Sequence, residues 1–456
     1  MSTDAEKRAM LLVATLTFFL FPFMASSVNV ALPSIGRELQ LDAVTLSWVA
    51  TAYLLSSAVL LVPVGRIADI YGRKRVFVAG MVVFTIASFL SGLATSGGML
   101  ISFRVLQGIG VAMLAGTGVA LLTSAFPVDE RGKVLGINAT AAYAGLALGP
   151  VLGGLLTQYL GWASIFFLAL PLGLAVIGVV LWKLKGERIG ARREKFDIVG
   201  SVVYSLALVG LVYGFSLLPD MPGVWLVIGG FAGLSAFARL QMKARSPVLD
   251  INLFRRSRAF ALSSLATLLE YSPMLAVSFL ISLYLQYVKG FGPESAGLVL
   301  VAMPAMAAIV SPVAGRLSDR IEPRVIASVG MMLTTVGIVL FIFLNEETPL
   351  GLIIGNMVLL GFGHALFASP NINAVMSSAP KTAYGVASAM VATMRQIGMV
   401  MGMAITMLMF VLYIGRVEIT PEYYPLFQVS MRTSFIILSI ICFCGVFISI
   451  ARGKVR

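Results

Sequence analysis

Charge is scarce in this chain: only 12% of its 456 residues are Asp, Glu, Lys or Arg, while 59% are apolar. With a mean hydropathy of +0.97, it is far too oily for a water-soluble multidomain protein. Histidine occurs once, at His364, which excludes metal sites built on several histidines. Cys442 and Cys444 fall two apart in one apolar run. A helix points them to different faces, so no disulfide framework is available and both read as packing residues. Neither a GxSxG nucleophile elbow nor a GxxxxGK(S/T) phosphate loop is present. These absences exclude the common hydrolase and ATP-driven machineries. The chain is expected to be no enzyme and to hold no metal or organic cofactor.

What is abundant is long apolar sequence. Read as runs of about 20 residues, it gives about fourteen spans: six up to Trp182, two between about Val199 and Leu240, and six from about Ala259 onward. The first run, Met10 to about Leu32, is too long for a cleaved signal segment and reads as an uncleaved span. With the N-terminus inside, about 27 of the 33 Lys and Arg fall on the cytoplasmic side. Arg37, Lys289, Arg416 and Arg432 fall outside, and Arg104 and Arg395 lie within spans. Topology thus explains the net charge of +13 without a nucleic-acid partner. The expected setting is the plasma membrane, multi-pass, with both termini cytoplasmic, and the chain is expected to work as a monomer.

Two basic cytoplasmic stretches divide the chain into a six-helix bundle (1–183), linkers flanking a two-helix insertion (184–258), and a second six-helix bundle (259–456). The bundles look related. "PVGRIADIYGRKR" begins at Pro63 and "PVAGRLSDRIEPR" at Pro312, with Gly65, Arg66 and Asp69 matched by Gly315, Arg316 and Asp319 at a constant offset of 250. Duplicated halves of this kind place a binding site between them near mid-membrane and work by rocking about it.

At these residues the sequence resembles the major facilitator superfamily, and more narrowly its fourteen-span drug:proton antiporters. "GRIADIYGRKR" (65–75) is similar to the loop between that superfamily's second and third helices, and "RVLQG" (104–108) to its fourth-helix motif. "GINATAAYAGLALGPVLGG" (136–154) is similar to the antiporter motif of the fifth helix. "NVALP" (29–33), "WVATAYLL" (48–55) and "GVASAMVATMRQIG" (385–398) also look like this subgroup. The resemblance implies an all-α membrane fold of two six-helix bundles plus two inserted helices. It also implies a secondary transporter that exports lipophilic or cationic small molecules against protons by alternating access. The alternative is a proton-coupled transporter of a specific metabolite or lipid-like solute.

Physically, Ala141, Gly145, Gly149 and Gly153 recur every four residues, a smooth stripe that allows close helix approach, and Pro150 would bend that helix. The resemblance implies that this stripe, with Gly154, makes a tight contact between the halves. Gly65, Asp69 and Arg73 complete the implied gating set, with Asp69 in a charge network of the outward-open state. Arg104, near the outer end of its span, reads either as a snorkelling arginine or, by resemblance, as part of proton coupling, with Gln107 one turn on.

Of the 20 Asp and Glu, only Glu270 falls well inside a span. It stands about 18 Å along a helix from Arg258, close to mid-membrane. An acid there needs a partner or a job. Arg395, at comparable depth, is the expected partner if the role is an ion pair, and Pro273 one turn later could break the helix beside it. His364, able to protonate near neutral pH, reads as structural. Many relatives carry an aspartate in the first span where this chain has Met24, an asparagine where it has Ala392, and Arg and Asn where it has Ala163 and Ala169. Glu270 is therefore the expected coupling residue, in a largely apolar cavity whose candidate polar contacts are Asn29, Tyr53, Gln107, Asn138, Tyr143, Tyr271 and Asn371.

Overall fold

A computed structural model describes residues 4–183, 196–244, 254–255, 257–378 and 384–453. Most of the two basic linkers lies outside these residues, as do residues 379–383. The described chain is helical throughout, with 14 helices or helix pairs long and apolar enough to cross a membrane.

The first six are α1 (Asp4–Leu39), α2 (Ala43–Tyr71), α3 (Arg73–Gly92), α4 (Gly97–Ala125), α5 (Val128–Leu160) and α6 (Ala163–Lys183). The inserted pair is α7 (Ile198–Leu217) and α8 (Met221–Lys243). The second six-span set is α9 (Arg258–Leu283, continued by a π turn over Tyr284–Val288), the broken span α10 (Pro293–Leu300) and α11 (Ala302–Ser318), α12 (Pro323–Phe341), α13 (Leu350–Ser377), α14 (Tyr384–Tyr413) and α15 (Tyr424–Ala451). Pro304 has no N–H to return to Leu300, which explains the break between α10 and α11. Pro273 lies inside an unbroken α9, so the expected break beside Glu270 is not there; lateral packing holds the helix through one missing bond.

Local chemistry sets the ends. Asp42 Oδ1 accepts from the N–H groups of Val44 and Thr45, both at 2.9 Å, capping α2. Gly72 has φ 115°, a conformation closed to most side chains, and lets the chain reverse from α2 into α3. Asp197 caps α7 and also accepts from Gln241 Nε2 at 2.6 Å, tying the base of the inserted hairpin.

Helix α1 packs on α5 and α2 on α4, while α9 packs on α14 and α15, and α11 and α12 on α13. The halves meet where α5 touches α10, α2 touches α14 and α1 touches α9. The hairpin α7–α8 lies against α2 and α14. We call the face that holds the start of α1 and the end of α15 the terminal face, and its opposite the remote face.

Candidate functional site

Glu270 is wholly buried. Its Oε1 accepts from Thr334 Oγ1 of α12 at 2.9 Å and stands 3.6 Å from His364 Nδ1 of α13. Its Oε2 accepts from Cys442 Sγ of α15 at 3.4 Å. The carboxyl therefore points into the core of the second bundle rather than straight into the space between the halves. Two readings change. The basic side chain beside Glu270 is His364, not Arg395, because α9 turns the acid toward α12, α13 and α15. Cys442 is a donor to the acid, while Cys444 is exposed.

His364 leads back toward the seam. Its ring sits edge-on to Tyr271, with centroids 5.0 Å apart. Tyr271 is half-buried, beside Arg395 and near Tyr143 on α5 in the other half. The Arg395 guanidinium lies 5.9 Å from the Tyr271 ring centroid. Glu270, His364, Tyr271 and Arg395 thus line up from the core of one bundle toward the junction of both.

Arg104 is 1% exposed, so it does not snorkel. Its Nε donates to the Val49 carbonyl at 3.1 Å, its Nη1 donates to Gln107 Oε1, and the cation stacks 4.1 Å from the Tyr53 ring centroid. Gln107 passes the chain on to Ser88, and Tyr53 donates to the Phe21 carbonyl. This network belongs to the first bundle's core.

Of the expected cavity residues, Tyr143 and Tyr271 are the partly open ones; Asn29, Tyr53, Gln107, Asn138 and Asn371 are buried. Asn371 donates to Thr267 Oγ1 at 2.8 Å and accepts from Arg452 Nη1 at 2.6 Å, a satisfied contact inside the second bundle. Burial pushes that Arg452 guanidinium, just past α15, down to about 10. Asn138 shares the face of Gly145, and both ends of its amide lack a partner. Met24 is wholly buried and fills space where an acid would need solvation. A cavity of about 580 Å³ on the remote face, between α12 and α13, is lined by residues such as Leu340, Asn345 and Asn356 and by none of the expected site residues.

The small-residue stripe requires a correction. A side chain at Gly145 would strike the Phe19 carbonyl, at Gly149 Ser26, and at Gly153 Ser27, all on α1. Ser27 Oγ also donates to the Gly149 carbonyl at 3.0 Å. The stripe therefore seals α5 to α1 within one half, the closest packing the glycines allow. The contact across the halves uses another edge of α5, where Gly154 meets Pro293 and the Pro150 carbonyl meets Gly297 of α10. Nearby, Ser282 Oγ donates to the Asn29 carbonyl and Gln286 Nε2 to the Val30 carbonyl, both at 2.8 Å. Pro33 has no N–H for Asn29, so its ring leaves the carbonyl that Ser282 fills. At mid-depth Gln396 Nε2 donates to Ser57 at 3.2 Å. On the terminal face Arg73 at the start of α3 pairs with Asp69 of α2 at 2.8 Å across the Gly72 reversal, and a Cβ at Gly65 would meet nothing within 4 Å.

A family model described as Major Facilitator Superfamily matches residues 14–403 and 264–452. The riboflavin transporter RibZ of Clostridioides difficile (strain 630) is 27% identical over 448 residues, covering 98% of this chain and 97% of its own. The multidrug resistance protein Stp of Mycobacterium tuberculosis (strain CDC 1551 / Oshkosh) is 33% identical over 405 residues, covering 86% of this chain and 74% of its own. Among solved structures, a bacterial homolog to the human lysosomal transporter Spinster, inward-facing and unoccupied, superposes with a TM-score of 0.68 at 16% identity over 99% of this chain and 98% of its own. A POT family transporter in complex with a thioalcohol-conjugated peptide gives a TM-score of 0.72 at 15% identity over 98% of this chain and 95% of its own.

Proposed function

The chain belongs to the major facilitator superfamily of membrane transporters, and from that premise we propose that it is a proton-coupled antiporter exporting small, largely apolar compounds by alternating access. The observation that carries this reading is the couple of wholly buried Glu270 and His364, 3.6 Å apart and joined through Tyr271 to the seam. An acid and an imidazole in contact can pass one proton between them. When the carboxyl is protonated it no longer needs a cation beside it, so the contacts that hold α9 against α12, α13 and α15 change with its charge. Because α9 also carries the contact with α1 through Ser282, that change reaches the interface between the halves.

The terminal face is the cytoplasmic one in this reading, following the placement of the basic residues. Relatives named for drug resistance or export support the outward direction. The test is flux in proteoliposomes with pyranine trapped inside, challenged with a panel of drug-like compounds that includes riboflavin. Glu270→Gln should abolish pH-gradient-driven exchange while melting behaviour stays native. Unchanged coupling would remove Glu270 from the mechanism.

A second reading, transport of one specific metabolite, is favoured by the end-to-end match to a riboflavin transporter and by Met24 at the first-helix position. Thermal-shift screening separates the two: stabilisation by a single ligand class, with none from dyes or lipophilic drugs, selects the second.

A further inference from the structure

The seam between the halves carries a cation with no described anion to answer it. Arg395 sits near the middle of α14 and is partly exposed. The neighbouring Gln396 bonds Ser57 of α2 across the halves, while Gly398 and Gly402, one and two turns on, press against Leu268 and Ser272 of α9. Arg395 therefore lies beside the junction of α14 with α9 and α2. Its described contact is Tyr271, and among the described residues it makes no ion pair. Glu270 is occupied by Thr334, Cys442 and His364 inside the second bundle, and the first helix offers Met24 instead of an acid. A cationic cargo would meet repulsion here and no carboxylate.

A guanidinium in a low-dielectric seam is costly to leave unpaired, and its planar fork of N–H donors matches a carboxylate. Beside Arg395 stands the ring of Tyr271, which in turn has Tyr143 of α5 as a neighbour, and both tyrosines are partly open. We propose that the seam binds organic anions, namely planar aromatic compounds bearing one carboxylate or a comparably acidic group. Arg395 holds the anion, and Tyr271 and Tyr143 flank the ring system. The assignment rests on the transporter reading and narrows its substrate class. It also sets the electrical balance: exporting one monoanion against one incoming proton moves two positive charges inward, whereas exporting a monocation against one proton moves none.

The test is titration calorimetry on the full-length purified protein with three probes of one ring system: 9-anthracenecarboxylate, its carboxamide, and (anthracen-9-ylmethyl)trimethylammonium. The acid should bind at least 10-fold tighter than the amide, with the ammonium weakest. Arg395→Gln should lower the acid's affinity to that of the amide while leaving the amide unchanged, and Arg395→Lys should recover part of the loss. Tyr143→Leu should weaken acid and amide alike. An ammonium or amide that binds the native protein as tightly as the acid overturns the proposal, as does failure of the acid to bind or an Arg395→Gln variant that keeps the preference. Should both arginine variants fail to fold, the order of the three probes on the native protein decides. Binding order is read without flux, so a failure of the proton-antiport reading shows in the proteoliposome assay and leaves this outcome distinct.

Discussion

An ionised carboxylate at mid-membrane costs about 2.5–3.5 kcal/mol on insertion scales unless its surroundings offset it. Around Glu270 the offset comes from three directions: the Thr334 hydroxyl, the Cys442 thiol and the His364 ring. Of these His364 is the one that also touches Tyr271 on the way to the seam. His364→Asn, which keeps a polar group of similar size, should therefore reduce pH-gradient-driven flux about 100-fold, the low end of what a positioned proton-transfer group contributes. The check is flux alongside equilibrium binding of the same compound, which should hold. Glu270 was legible in the sequence because it is the lone acid of the spans. His364 was not, since it lies far along the chain in another helix and a single histidine has no spacing signal. The helix rotation that brings the two together is a property of packing, and so is the turn of Glu270 away from Arg395.

At the scale of the helix, α5 shows how far a pattern carries. The recurrence of Gly145, Gly149 and Gly153 correctly announces a backbone-to-backbone approach, but small residues specify closeness and not the partner. The partner is α1, whose Ser26 and Ser27 meet the stripe, while the edge bearing Pro150 and Gly154 faces α10. Gly136, which belongs to the same motif, is exposed and would meet nothing within 4 Å if given a Cβ. The two positions should therefore respond oppositely. Gly153→Val forces apart α5 and α1 and should destabilise the first bundle by about 1–3 kcal/mol, or more if the backbone must move. Gly136→Ala should be neutral or stabilise by up to about 1 kcal/mol, because alanine is the better helix former. Thermal unfolding of the two variants in detergent, compared with the native chain, measures both. The fourteen spans were legible in the same way, from apolar run length, whereas the break between α10 and α11 was not, because Pro63, Pro150 and Pro273 sit in spans that stay continuous and sequence does not single out Pro304.

For the molecule as a whole, the described polar contacts that join the halves gather in the remote half, apart from Gln396 on Ser57 at mid-depth. Ser282 and Gln286 bond the carbonyls of Asn29 and Val30, the Ala43 N–H donates to the Val417 carbonyl at 3.0 Å, and Tyr159 donates to Glu294 at 2.9 Å. The inserted hairpin adds to this closure: Trp48 of α2 packs on Tyr213 with centroids 6.0 Å apart, and Arg416, past α14, donates to the Ser216 carbonyl. This is a state shut on the remote face. Opening it must break these bonds together, and each contributes about 0.5–1.5 kcal/mol net. A substrate or proton drives the opening only by the difference in its affinity for the two states. Removing part of the latch should therefore shift the resting population without any ligand. Ser282→Ala combined with Gln286→Leu is expected to cost the closed state about 2 kcal/mol, roughly a 30-fold gain for the open one. Spin labels at Leu160 and Ser295, both exposed on the remote face and on opposite halves, placed in a Cys444→Ser background, would report it as growth of a longer distance. An unchanged distance distribution would mean that the glycine contacts of α5 with α10, rather than the polar latch, hold the halves together.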